Sequence, residues 1–283
     1  MAARPAPTAR RMRLATELRR LRERAGMTTT DAARELGTSS GQLSNVESAR
    51  FGVSSDRVRA MARTYSCTDR AYVDALAAMA SERVRGWWEQ YRGTLPDGLL
   101  DLAEFEHHAT ALRTAYTAHI PGLLQIADHA RQIFGQVVPE LSPPEIEHRV
   151  AHRIKRQDVI HRDHPVPFET AVHEAALRMQ FGGPAVARRQ LAHLLDMSER
   201  PQITLRVIPF SAGAFPGSGQ SFAYGLGPVR QLDTVHLDQS HGPVLLHTDT
   251  QLRRYRTLLD GMQNAALSPT ASRDFILHVI RDL

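Results

Sequence analysis

Cysteine and lysine are almost missing from this chain: among 283 residues there is one Cys, Cys67, and one Lys, Lys155. A single thiol excludes a disulfide framework, and the length removes the need for one. Long apolar runs are missing too. The longest covers residues 75–80, far short of the roughly 20 residues that span a bilayer, so no membrane is expected among the partners. Residues 1–13 are rich in Arg, Ala and Pro but have no apolar centre, so a secretory signal is not expected and the cytoplasm is the expected compartment. No Gly-rich phosphate cradle ends in a Lys, the Pro216, Gly217, Ser218, Gly219 loop lacks the flanks of a nucleophile elbow, and the acids form no paired motif. An enzyme is therefore not expected, and no cofactor is implied. With 42% hydrophobic and 23% charged residues, what remains is a globular chain of one large or two ordinary domains.

Nearly all the positive charge is arginine, 34 of 35 basic side chains, and the formal net charge is +5. It is unevenly spread. Residues 1–70 hold 14 Arg against 7 acids, a balance of +7, whereas residues 71–283 hold 21 basic against 23 acidic side chains, a balance of −2. A coding bias toward Arg explains the composition but not the asymmetry. A first module that meets a polyanion, followed by a near-neutral domain with another task, explains both.

Residues 12–65 read as short helices separated by turns. Leu14, Leu18 and Leu21 recur at i, i+4 and i+7, an apolar stripe on a helix whose other face carries Arg13, Arg19, Arg20, Arg22 and Arg24; Gly26 ends it. Thr28 or Thr29 caps a helix through about Leu36, Gly37 supplies a turn, and Ser39 caps a third helix through about Glu47. Ala33, Gly37, Leu43 and Val46 have the spacing that two steeply crossing helices require: a small residue where backbones approach, glycine at the turn, and apolar residues on the inner face of the second helix. Val58, Met61, Ala62 and Tyr65 then close the core with a fourth helix. In this helix-turn-helix reading the helix from Ser40 to about Glu47 enters the major groove of double-stranded DNA. Ser40, Gln42, Ser44 and Asn45 point outward while Leu43 and Val46 point in. Gln and Asn pair with adenine, and Ser suits either kind of base pair. Ser39 stands at the start of the same helix, and Thr29 and Arg50 are candidate phosphate contacts.

LRRLRERAG (residues 18–26), DAARELGTSSGQLSNVESAR (residues 31–50) and the helix after them resemble the five-helix DNA-binding domain of the lambda-repressor and Xre type. The resemblance implies an all-α fold and operator binding as a symmetric dimer, two recognition helices about 34 Å apart reaching successive major grooves. Departures fall where the family often has Gln (Thr29), Gln or Ser (Ser40, Gly41) and Gly (Ala49), so base preferences do not transfer from relatives.

Beyond residue 70 a helix over residues 69–85 completes or leaves this domain. Trp87, Trp88 and the Pro96, Asp97, Gly98 turn follow, and residues 82–98 are read as the boundary between a first domain (1–81) and a second (99–283). Residues 99–134 read as helical with a break at Ile120, Pro121 and Gly122. Ser142, Pro143, Pro144, Glu145 is a capping box for a helix to about Ile160. Strand signals then appear at residues 167–172, 203–207, 221–226 and 234–237, with helices at 174–179 and 185–197. Two more helical stripes follow, one through Leu252, Tyr255, Leu258, Leu259 and Met262, and one through Phe275, Ile276, Val279 and Ile280 behind Ser268. The fold class expected is an all-α five-helix domain followed by an α+β domain with a small sheet.

Several short motifs of this second part, PGLLQ (121–125), RIKRQ (153–157), HEAALR (173–178), QL (190–191), VIP (207–209) and S-x-x-x-I (272–276), occur in the order seen in a domain of unknown function, DUF5753. That domain follows an Xre-type reader in the WhiJ-like and Scr1 antitoxin-like regulators of high-GC sporulating bacteria. Ile126 stands where the family usually has Thr. The resemblance implies an antitoxin-like regulator whose second domain binds a small cognate protein of the DUF397 type, and it points to Pro121, Gly122, Leu123, Leu124, Gln125, Arg153, Arg156 and Glu174 as partner or ligand residues. A small-molecule effector is the alternative, with the aromatic and Gly-rich loop from Phe215 to Tyr224 as a pocket wall. Arg149, Arg153 and Arg156 share one helix face; either that face takes an acidic partner or it is a solvated face paired with Glu145 and Glu147. His148 and His152 lie at i, i+4 with His161 and His164 nearby, a spacing that could share a metal, but Cys67 is distant and no metal site is expected. His107 and His108 are adjacent and diverge by about 100° on a helix, so they do not share an ion. Trp87 and Trp88 are expected to serve packing between the domains more than ligand stacking.

Overall fold

The computed structural model describes residues 7–82, 86–239 and 242–283, and the chain forms two compact units that divide between Trp87 and Trp88.

The first unit is all helical: α1 (Ala9–Arg24), α2 (Thr29–Glu35), α3 (Ser40–Glu47), α4 (Ser55–Thr64) and α5 (Arg70–Ser81). Thr8, Thr28, Ser39, Ser54 and Asp69 each precede a helix and accept a first-turn backbone N–H through the side chain, satisfying a donor that the helix cannot. Leu18, Ala33, Leu43, Val58, Met61 and Leu76 make the core. Gly37 turns the chain between α2 and α3 at φ +61°, a left-handed backbone that glycine adopts without steric cost.

Two arginines expected on the outer face of α1 are buried instead. Arg13 is 9% exposed and Arg22 7%, because each guanidinium has a carboxylate inside the unit. Arg22 donates from Nε and Nη2 to Glu47 at 2.7 and 2.8 Å, a two-pronged bond that fixes α3 to α1. Arg13 pairs with Glu17 at 2.9 Å, and Glu17 also accepts Tyr72 Oη at 2.6 Å, which ties α1 to α5. Burial and the Glu17 carboxylate push the Tyr72 hydroxyl far above its ordinary pKa. Val46, expected to point inward, is half-buried.

The second unit contains α6 (Asp97–His108), β1 (Ala111–Tyr116), α7 (Ala127–Phe134), α8 (Pro143–Arg156), β2 (Phe168–His173), α9 (Glu174–Arg178), α10 (Gly183–Met197), β3 (Ile203–Ile208), β4 (Phe222–Leu226), β5 (Thr234–Leu237), β6 (Val244–Leu246), α11 (Asp249–Ala265) and α12 (Pro269–Asp282). The six strands form one mixed sheet in the order β3-β2-β1-β4-β5-β6. β1, β2 and β3 run parallel; β4, β5 and β6 extend the sheet antiparallel from the other side of β1. Side chains alternate across the sheet. Leu112, Phe168, Val172, Ile203, Leu205 and Val207 pack against α10 and α12 on one face, and Ala115, Ala171, Ile208, Phe222, Tyr224 and Val235 against α11 on the other. Gly225 in β4 lets α6 approach: a Cβ there would lie 2.5 Å from the Phe105 ring.

The expected fold class holds, a helical first part and a mixed α and β second part. Two strands and one boundary differ from expectation. β1 falls in a stretch read as helical; Ala111, Leu112 and Arg113 are good helix formers, and pairing on both sides at the middle of the sheet overrides that propensity. β6 has three residues, too few for an alternation to show. Pro96, Asp97 and Gly98, read as a turn, open α6, where Pro is tolerated because first-turn N–H groups have no helical partner. The capping box at Ser142 and Glu145 and the cap at Ser268 form as described by their spacing, and Thr248 caps α11 with a capping box not expected from the sequence.

Candidate nucleic-acid interface and ligand site

On α3, Ser40, Gln42 and Ser44 are exposed and Asn45 is half-exposed, while Leu43 is buried in the core. The bond between Glu47 and Arg22 ties the C-terminal end of this helix to α1. Ser39 accepts the Gln42 backbone N–H at 3.2 Å, and the Thr38 hydroxyl donates to Gln42 Oε1, leaving the Gln42 amide nitrogen directed by that contact. Thr29 sits in the first turn of α2, half-exposed, next to the Thr28 cap, and Arg50 is exposed just past α3. Arg57 Nη1 donates to the carbonyl of Leu36, the residue that caps the end of α2, at 2.9 Å and so locks α4 onto the α2 end. The first unit, residues 1–87, holds 16 Arg against 9 acids, so the +7 excess stays with the reading helix.

In the second unit the motif residues meet each other. Residues 121–125 form a 3-10 turn with no ladder of its own, yet Pro121, Leu123, Leu124 and Gln125 are buried, so its backbone polar groups need partners. Three glutamines supply them. Gln125 Nε2 donates to Ile120 O at 2.7 Å, Gln157 Nε2 to Gln125 O at 2.7 Å, and Gln190 bridges by donating to Leu124 O at 2.7 Å and accepting Ile126 N–H at 2.9 Å. The other motifs behave alike: Glu174 accepts Phe210 N–H at 2.7 Å just after VIP, and Ser272 Oγ accepts Val207 N–H at 2.9 Å. These dispersed motifs are therefore the pieces that satisfy irregular backbone within one fold.

Neither reading of the α8 basic face describes all of it. Arg156 is 5% exposed and donates Nε and Nη2 to Glu106 at 2.7 and 2.5 Å. Burial works against its charge and Glu106 outweighs that, so its pKa is raised. Arg153 lies over the Phe134 ring at 4.6 Å and donates to Gln125 Oε1. Glu147 pairs with Arg131 at 2.6 Å and Glu145 serves the Ser142 cap. Gly122 and Arg153 are the parts of this set that reach partial exposure.

A small cavity lies on the α10 face of the sheet, bordered by Glu106, Thr114, Tyr116, Gly122 and Ala223. Its room is that of roughly a single water. The aromatic loop expected as a pocket wall is elsewhere. Tyr224 points to the α11 face, donates to Asp233 at 2.8 Å and accepts from Arg256 at 2.7 Å; Phe215 rests on His173, ring centroids 5.7 Å apart. His148 is exposed and His152 buried against Tyr91, so the two do not converge, and among the described residues no group of three or more His, Cys, Asp or Glu could hold a metal ion. His107 and His108 come closer than their divergence on a helix suggests: both rings edge onto Trp88, which is buried inside the second unit.

Capped helices, a glycine turn and an outward polar face on α3 define a helix-turn-helix DNA-binding module, and a helix-turn-helix domain model matches residues 13–76. The model of a domain of unknown function, DUF5753, matches residues 99–278, more than half of the chain. The chain belongs to the DUF5753 family, in the form that carries a helix-turn-helix domain ahead of it, which marks it as a DNA-binding regulator. Comparisons with curated proteins and with solved structures gave no match. Among the described residues no helix is long and apolar enough to cross a membrane.

Proposed function

We propose that the protein is a sequence-specific transcriptional regulator of the antitoxin-like type, cytoplasmic and nucleoid-associated when bound, that sits on its operator as a homodimer and whose second unit binds a small cognate protein of the DUF397 type. The observation that carries the DNA half is the outer face of α3, where Ser40, Gln42 and Ser44 are exposed and Asn45 half-exposed on the unit that holds the positive excess. Ser39, Thr29 and Arg50 flank that face and serve phosphates. The partner half is supported by family membership and by a balance of −2 on residues 88–283, which gives that unit no pull toward a polyanion. Pro121, Leu123, Leu124, Gln125, Arg156 and Glu174 then act from inside, by shaping the surface a partner meets, with Gly122 and Arg153 at that surface.

A footprint on the DNA upstream of the protein's own gene tests the first half; protection equal to that of unrelated DNA sinks it. Co-expression with the small protein encoded beside it, followed by size exclusion, tests the second. A shared peak with altered operator affinity is expected, and two separate peaks overturn the partner reading.

A further inference from the structure

The chain runs outward from β1 in both directions: β2 and β3 are added in sequence on one side, β4, β5 and β6 on the other. In open sheets with helices on both faces, the carboxyl end of the strand at which the order reverses is a crevice, because the connections leave it to opposite sides. Here that end is Tyr116, followed by His119 and the buried turn at residues 121–125. Around it the second unit concentrates polar groups that lack protein partners. His129 on α7 is 2% exposed, and neither ring nitrogen has a hydrogen-bond partner. Arg153 Nε on α8 is buried without one as well.

A buried imidazole with both nitrogens idle is costly, since each lost hydrogen bond leaves about 1–3 kcal/mol of desolvation uncompensated. Packing alone does not explain His129, because Phe181 meets its ring edge-on at 5.4 Å and would sit as well against a phenyl ring. Phe181 also faces His119 at 5.3 Å, so one aromatic side chain bridges an exposed and a buried histidine. Gly122 keeps the approach to Arg153 open: a Cβ there would stand 3.3 Å from Arg153 Cδ. The charges facing this group are few. Arg156 is neutralised by Glu106, and Asp238, exposed, is the acid that acts on both His119 and Arg153.

We propose that His119, His129 and Arg153 form a binding site for an oxyanion, a phosphate or a carboxylate, that enters past Gly122 and rests against Phe181. Arg153 contributes the charge and a free N–H. Burial keeps His129 neutral, down at about 4, with its neighbours His119 and Arg153 acting in the same sense, so one ring nitrogen donates and no second positive charge is buried. His119 is likewise held below its usual pKa, by burial first and by Arg153 second, and donates from the rim. The site goes beyond the partner reading: it exists whether the oxyanion comes from a free small molecule or from an acidic side chain of a bound protein.

The first unit would itself attract anions, so the readout must be confined to the second. Histidine provides that confinement, because all 14 His lie beyond residue 87. The full chain at neutral pH is titrated with inorganic phosphate, and separately with N-acetyl-aspartate amide, while histidine ring signals are followed by NMR. His119 and His129 signals, assigned with His119→Gln and His129→Phe, are expected to shift saturably with at least one of the two anions. Tighter phosphate binding points to a free ligand, tighter aspartate binding to a protein carboxylate. Arg153→Gln should weaken the saturating anion about tenfold or more, as loss of a charge-assisted bond requires. Where Arg153→Gln loses the dispersed signals of a folded chain, Arg153→Lys replaces it, with a smaller weakening because the charge stays and the fork is lost. Non-saturating shifts with both anions in the wild type, or saturation unchanged in the folded Arg153 variant, overturn the proposal.

Discussion

Polar side chains are arranged in opposite senses in the two units. In the first, those that fix the fold stand inside, Arg13, Glu17, Arg22, Glu47 and Tyr72, and those proposed to read DNA stand outside on α3. In the second, residues singled out for binding are internal partners of the fold: Gln125, with Gln157 and Gln190, holds the irregular backbone after β1, Arg156 pairs with buried Glu106, and Glu174 accepts Phe210 N–H. A helix pair exposes one face by geometry, so a short motif maps onto a surface. A buried turn must borrow hydrogen bonds from distant segments, so its motif maps onto an interior.

The largest test of this contrast is acid. His129 and His236 are pushed down to about 4 and His152 to about 3, each by burial first. Between those values and 6.5 the folded unit keeps these rings neutral while the unfolded chain protonates them. The unfolded state then binds more protons, so stability is full above pH 6.5 and falls as pH drops toward about 4, by up to about 1.4 kcal/mol per pH unit for each histidine. The first unit has no histidine to titrate. Hydrogen exchange read over pH should therefore show β1 and β2 losing protection well before α4 and α5. Equal loss in both units would break the comparison.

Next in size is the removal of one carboxylate from each unit. Glu106→Ala strands Arg156 in the interior and Glu47→Ala strands Arg22; a buried charge left unpaired costs about 3–5 kcal/mol. The two should differ in consequence, since Glu47 positions α3 and Glu106 does not touch it. Urea denaturation should find both variants weakened, and anisotropy with labelled operator should find DNA affinity lost chiefly in Glu47→Ala. If Glu106→Ala lowers affinity as much at a temperature where the first unit is folded, the second unit governs DNA binding more directly than the contrast allows.

Much of the first unit was legible because its signals are local. Thr28, Gly37 and Ser39 act within one turn of their own position, and in the second unit two strands announce themselves by alternation with β-branched residues (203–207 and 234–237) and a third by an aromatic and apolar run (221–226). What was not legible depends on partners far along the chain. Arg13 and Arg22 look like surface residues until Glu17 and Glu47 fold against them, and β1 looks like helix until β2 and β4 flank it. His129 carried no signal at all, because a lone histidine on a short helix shows its burial only when Phe181 arrives from residues further on.

On the reading face the effects are smaller and differ in kind. Asn45→Ala or Gln42→Ala should each cost about 1–3 kcal/mol of discrimination at one base pair of a selected operator, while leaving affinity for unrelated DNA unchanged. Arg50→Ala should weaken all sequences alike and lower the slope of log affinity against log salt by about 1. Titrations on matched and scrambled duplexes at several salt concentrations separate the two. If the Asn45 and Gln42 variants weaken both duplexes equally, α3 is held on phosphates and another element reads the bases.

The smallest effect comes from two left-handed residues of the first unit that are not glycine. Ala49 has φ +57° and Ser66 φ +54°, each just past a helix end, where its N–H bonds back to Val46 O and Arg63 O at 3.0 Å. A Cβ in this conformation costs about 1–2 kcal/mol, and glycine gives back about 0.5–1 kcal/mol through its freer unfolded chain. Ser66 is exposed, so nothing else is lost, and Ser66→Gly should stabilise by up to about 1.5 kcal/mol. Ala49 is 5% exposed, and deleting its methyl forfeits about 0.8 kcal/mol of burial, so Ala49→Gly should be near neutral although related domains commonly carry glycine there. Thermal unfolding followed in the first unit should rank Ser66→Gly above wild type, with Ala49→Gly beside it. A gain in Ala49→Gly as large as in Ser66→Gly would mean that the methyl is poorly packed and that the end of α3 is looser than the buried Arg22 and Glu47 pair implies.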